Sequence, residues 1–121
     1  MSEQSTSKFD FEKLRRGIEQ LDADLLVDLY ADDAQLRIVN RNTTPSSPRE
    51  VRGKEEITEY LRDVCGRAMT HHIEREVIGE DRIAFNEACE YSEGTRVLAA
   101  TILELQDGKI VQQLNVEAWD E

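Results

Sequence analysis

Two hydrophobic periods follow one another along the chain. Between Lys8 and Gln20, and just beyond at Leu21, apolar residues recur every three or four positions: Phe11, Leu14, Ile18 and Leu21. Lys13, Arg15, Arg16 and Glu19 fall between them, which is the spacing of a helix with one covered face. Asp22 and Asp24 interrupt the pattern and predict a second helix start, because a carboxylate there can accept the first free N–H groups. Leu26, Leu29 and Tyr30 give that short helix its apolar stripe, and Ala31-Asp32-Asp33-Ala34 ends it. Gln35 to Val39 alternates polar and apolar residues, as a strand covered on one side does. Asn40 to Arg49 carries both prolines among Asn, Thr and Ser and reads as a loop, either a lid or simply mobile. After Gly53, the residues Ile57, Tyr60, Leu61, Val64, Cys65 and Ala68 mark the clearest helix, with Glu55 and Glu56 at its positive end.

From His71 onward the period is two. The alternation predicts strands over His72–Ile78, Arg82–Tyr91, Arg96–Leu105 and Lys109–Trp119, separated by the Gly-containing turns 79–81, 92–94 and 106–108. Three helices and one strand followed by a four-stranded meander specify an α+β domain, with a curved antiparallel sheet wrapped around helices. Ile57, Leu61, Val64, Phe85, Leu98 and Ile102 are the expected core.

A length of 121 residues fits one domain over residues 9–121, after a Ser/Thr/Gln-rich tail at 1–8 that is expected to be disordered. Fifteen Lys and Arg against 26 Asp and Glu leave a net charge of −11. That balance, with its basic residues scattered, excludes a nucleic-acid partner and disfavours an anionic membrane surface. No apolar run is long enough to span a bilayer, and the N-terminus lacks the basic start and apolar stretch of a secretory signal. Cys65 and Cys89 lie in apolar patterns without metal-motif spacing, so they read as buried thiols of a cytoplasmic protein.

The element order, with Leu29-Tyr30-Ala31-Asp32-Asp33-Ala34, Arg52-Gly53-Lys54-Glu55-Glu56-Ile57 and Asp107-Gly108-Lys109-Ile110-Val111, resembles the nuclear transport factor 2-like superfamily. That superfamily includes ketosteroid isomerases and SnoaL-like polyketide cyclases. The resemblance covers nearly all of Phe9 to Asp120. It implies a cone-shaped sheet around a helix, a small-molecule pocket at the wide end, and homodimers paired through sheet faces. It does not imply one reaction, since the fold hosts isomerases, cyclases, dehydratases, epoxide hydrolases and binding-only proteins. The catalytic residues of a ketosteroid isomerase would fall near Leu14, Ile38 and Ile102, all apolar here, so the equipment for that reaction is absent.

Candidate chemistry is sparse. Adjacent strand residues point to opposite faces, so His71 and His72 cannot serve one pocket or one metal together; His72 is the candidate general acid or base. Glu87 stands out among Ile83, Phe85, Cys89 and Tyr91 on one strand face. If that face is concave, desolvation should raise its pKa above about 4.3 and suit it to proton transfer. Arg75 or Arg96 could instead pair with it. On the last strand, apolar patterning sends Leu114, Val116 and Ala118 inward, whereas the family comparison would place Asn115 and Glu117 in the cavity. Tyr30, Tyr60, Phe85, Tyr91, Asn115 and Glu117 are the candidate ligand contacts, and Trp119 reads as capping a hydrophobic edge. No nucleophile elbow, phosphate loop or zinc motif is present. The expected activity is that of a small-molecule-binding domain with an apolar pocket, either a cofactor-independent isomerase, cyclase or lyase, or a non-catalytic ligand-binding or association module. Neither metal nor cofactor is expected.

Overall fold

The computed structural model describes residues 9–120; the tail expected at 1–8 lies outside the described residues. Helices α1 (Phe11–Glu19) and α2 (Ala23–Val27) lead into strands β1 (Tyr30–Val39) and β2 (Arg49–Arg52). Helix α3 (Gly53–Cys65) follows, then strands β3 (Met69–Ile78), β4 (Arg82–Tyr91), β5 (Arg96–Gln106) and β6 (Lys109–Trp119). Both early helices start as their sequence dictates. The Asp10 carboxylate accepts from the Lys13 N–H at 3.0 Å and that of Asp22 from the Leu25 N–H at 3.2 Å, filling backbone donors that have no helical partner. Gly17 lets α1 meet α2, since a Cβ there would stand 2.6 Å from Leu26 Cδ2.

The six strands form one sheet in the order β2-β1-β6-β5-β4-β3. The predicted meander β3–β6 is antiparallel throughout. The curved sheet around helices is as expected; every strand pair is antiparallel except β1 and β6, which pair in parallel and make the sheet mixed. Two differences lie in the first half of the chain. Residues Tyr30 to Ala34 belong to β1 rather than to the second helix, and β2 was not foreseen within the region beginning at the Pro-rich loop. Tyr30 and Ala34 are four apart, a spacing that shares one face in a strand as it does in a helix, and β1 is irregular between them. Tyr30 pairs with Ile110 but Gln35 with Gln112, so five steps on β1 match two on β6. Extra residues of this kind bend the strand, and Asp32, between the two inward residues, is exposed.

Ile57, Leu61 and Phe85 lie in the core as expected, with Leu36, Ile73, Leu103 and Ile110; Val64 is half-buried. Leu98 and Ile102 do not: they are 51% and 47% exposed. The inward set of β5 is Val97, Ala99, Thr101 and Leu103, the smaller members of the alternation. The open edge of β3 is tied to α1. Glu19 accepts the Ile73 N–H at 2.9 Å, while Arg15 donates to the Ile73 carbonyl at 3.3 Å and pairs with Glu76 at 2.8 Å. Among the described residues no helix is long and apolar enough to cross a membrane.

Ile57 is fully buried and Val77 is 67% exposed. Ile57→Ala should therefore lower unfolding free energy by about 3–4 kcal/mol, and Val77→Ser by less than about 0.5 kcal/mol. Urea titrations of the two variants check this contrast, which equal losses would contradict.

Candidate active site

The inner sheet face and the three helices enclose a cavity of about 90 Å³. Leu14, Ile18 and Leu26 close it from α1 and α2, and Tyr60, Leu61, Val64 and Cys65 from α3. The floor is the sheet, where the small Ala99 of β5 stands between Glu87 of β4 and Glu117 of β6 in register. A large side chain at Ala99 would fill this space, so the cavity follows from the small residue that β5 turns inward there.

Glu87 lies on the concave face together with Phe85, Cys89 and Tyr91. Its partner is His71: Nδ1 stands 2.8 Å from Glu87 Oε2, and the imidazole side chain is only 4% exposed. Among the described residues, neither Arg75 nor Arg96 pairs with Glu87; Arg96 lies by Glu90 at 3.6 Å. Cys89 completes a tight cluster. Its Sγ is 3.2 Å from His71 Nδ1 and 3.4 Å from Glu87 Oε2. Nδ1 cannot accept from the thiol while also donating to the carboxylate. With Glu87 ionised, the consistent arrangement has Oε2 accepting from both His71 Nδ1–H and the Cys89 S–H. Burial, and then the charge of Glu87, push the Cys89 thiol up and keep it protonated.

The candidate His72 is corrected by this geometry. Its side chain is 67% exposed and turned to Glu19 of α1, 3.3 Å away. The cause is one extra residue in β3. Ile78 pairs with Ile83 and Val77 with Ala84, a register that would bring His72 opposite Cys89. The register shifts between Glu74 and Val77, where Arg75 adopts a φ of 58°, and His71 arrives there instead.

The last strand also reverses the patterned expectation. Gln113, Asn115, Glu117 and Trp119 face the cavity, while Val116 is 46% exposed on the outer side. Leu114 and Ala118, expected inward, share that outer face. Tyr30 donates to Gln113 Oε1 at 2.5 Å, and Gln113 Nε2 donates to Asn115 Oδ1 at 2.9 Å. This relay fixes both amide orientations and leaves the Asn115 NH2 outside the relay as a donor. Asn40 holds Glu117 at 3.0 Å, and Arg41 stacks over the Trp119 ring at 5.1 Å, so the start of the 40–48 loop is fastened to two cavity residues. Trp119 lines the cavity and packs against the cluster of Met69, Cys89 and Val97. Its Nε1 and His71 Nε2 are buried without a hydrogen-bond partner among the described residues. Tyr60 completes the wall beneath the Arg49 guanidinium.

The sequence matches the model of the SnoaL-like domain over residues 11–113. The chain belongs to the SnoaL-like family. Solved structures agree on the fold. A nuclear transport factor 2-like protein of unknown function from Mesorhizobium loti is 17% identical, with a TM-score of 0.75 over 98% of this chain and 97% of that one. A candidate ketosteroid isomerase from Kribbella flavida is 14% identical, with a TM-score of 0.72 over 92% and 75%. An LEH-like epoxide hydrolase from M. tuberculosis is 18% identical, with a TM-score of 0.66 over 89% and 79%. No curated protein matches the chain in sequence. Within this SnoaL-like fold, Ile38 is core, Leu14 is cavity wall and Ile102 faces outward. The inward neighbours of Ile102 are Thr101 and Leu103, so shifting the comparison by one residue still yields no carboxylate there.

Tyr30 is buried and Tyr60 half-buried, and desolvation raises both phenols well above their ordinary value of 10.0. The unfolded chain therefore loses these protons first as pH rises. Their contribution is intact below about pH 10, and stability then falls by up to about 1.4 kcal/mol per pH unit for each tyrosine. Denaturant unfolding between pH 8 and 12 tests the slope, and Tyr30→Phe should make it shallower.

Proposed function

We propose that the cavity receives a small, mostly apolar molecule whose polar group meets Glu87 and His71. The pair exchanges a proton with it, as an isomerase, cyclase or lyase without an organic cofactor would. The observation that carries this reading is the 2.8 Å contact between His71 Nδ1 and Glu87 Oε2 inside a cavity walled by Phe85, Tyr60 and Leu61. A carboxylate held by an imidazole can accept a proton from carbon and return it elsewhere on the ligand. The unpartnered Trp119 Nε1 supports a ligand with an acceptor atom, because an orphaned buried donor costs about 1–3 kcal/mol that such an atom would relieve. The two free thiols fit a reducing cytoplasm.

The experiment is a thermal-shift screen of small ketones and related carbonyl compounds, followed by solvent deuterium exchange into any stabilising compound. Wild-type protein should catalyse exchange, and Glu87→Gln should slow it by about 10²-fold or more. Binding without exchange in the wild type would favour the non-catalytic, ligand-sequestering module.

The homodimer belongs to the same proposal. Leu98, Ile102 and Val116 are each about half exposed and lie on neighbouring strands of the outer face, with Ile102 opposite Leu114 and Leu98 opposite Ala118. A second copy would cover them with two-fold symmetry. Sedimentation at micromolar concentration should give a dimer that Ile102→Glu dissociates; a wild-type monomer would remove this part.

A further inference from the structure

We infer that His71, Glu87 and Cys89 form a binding site for a divalent transition metal of the zinc class, with a fourth coordination position open to the cavity. This goes beyond the proton-exchange reading and does not depend on it. Cys89 has no part in that reading, and a metal held here would occupy the lone pairs that proton exchange needs.

Three observations converge. The first is placement: Glu87 and Cys89 are two apart on β4 and share a face, and His71 pairs with Cys89 across β3. Three donors from two strands thus meet at one point. The second is distance. The three ligand atoms are separated by 2.8, 3.2 and 3.4 Å and all lie within 4.8 Å of one another. Tetrahedral coordination at about 2.0–2.3 Å places its ligand atoms about 3.3–3.6 Å apart, so a side-chain adjustment of a few tenths of an ångström seats the ion. The third is charge. The cluster is largely buried, with the His71 and Glu87 side chains 4% and 18% exposed. A dication with carboxylate and thiolate is neutral, which the low-dielectric setting favours.

Binding is a proton displacement without redox change. The metal takes the lone pairs of His71 Nδ1, Glu87 Oε2 and Cys89 Sγ. The thiol proton leaves to solvent, and the imidazole proton moves from Nδ1 to Nε2. These shifts give up the hydrogen bonds from Nδ1–H and S–H to Glu87 Oε2, which the three metal bonds replace, and Nε2, without a partner among the described residues, has none to lose. One nitrogen, one oxygen and one sulfur donor select zinc-class ions over Ca²⁺ and Mg²⁺, which need six or more oxygens or several waters.

The test uses the full chain, reduced and freed of metal by a chelator, titrated with Co²⁺. Wild-type protein should develop a one-to-one thiolate-to-cobalt band in the near ultraviolet with the visible bands of four-coordinate cobalt, and Zn²⁺ should abolish both. The chain has two cysteines, so Cys65→Ala identifies the sulfur without disturbing the cluster. Its band should persist, since only Cys89 could supply it, and His71→Ala should weaken binding by more than about tenfold. No thiolate band in the wild type, or a band lost in Cys65→Ala, overturns the site. Surface carboxylates binding Co²⁺ through oxygen give no such band. Absence of the band would leave the Glu87 exchange experiment untouched, and the reverse also holds.

Discussion

What the rest of this molecule depends on is the small volume that β5 presents to the interior. Ala99 and Thr101 occupy the middle of the sheet's inner face, where neighbouring strands carry Glu87, Asn115 and Glu117. A well-packed core tolerates few voids, so a gap at this point must be bordered by groups that gain from it. Here those groups are polar. Their hydrogen bonds run among themselves, from Tyr30 through Gln113 to Asn115 and from Asn40 to Glu117. The apolar remainder of the wall comes from helices that the sheet needs for cover in any case.

Division of labour between the two ends of the inner face follows from this. Toward Ile83, Leu103 and Leu36 the side chains interlock and are almost wholly buried; that end carries stability. Toward His71, Cys89 and Trp119 lies the cavity, and two buried nitrogens there lack partners among the described residues; that end holds the proposed site. Sites of this kind hold strain and unsatisfied groups that a purely structural core would eliminate.

The meander, α3 and the concave face of β4 were legible in the sequence because each rests on local information: a period, a turn residue, a single carboxylate among apolar neighbours. Other features rest on pairing between distant segments. His71 replaces His72 because of one extra residue in β3, and nothing in Glu74-Arg75-Glu76 announces a bulge, since all three are ordinary strand-surface residues. The inward face of β6 was misjudged because hydrophobicity was taken to mean interior. In a sheet that turns polar side chains toward a cavity on one side and leaves an apolar surface uncovered on the other, that rule inverts. Likewise Tyr30 and Ala34 fit a helical stripe because residues four apart share a face in a strand too. The proximity of Cys89 to His71 requires the register, which alternation alone does not supply.

The clasp between α1 and the edge strand β3 has a consequence for the protein's behaviour away from its native state. Ile73 would otherwise present a free N–H and carbonyl along an open sheet margin, and Glu19 and Arg15 occupy both. Further along the same strand, Val77 and Ile78 are 67% and 58% exposed. An unguarded margin of this composition is a template on which another chain can add a strand. Helix α1 therefore serves as a sentry as well as a wall: any opening that lifts it exposes cavity and sticky margin together, so ligand access by that route and self-association would compete.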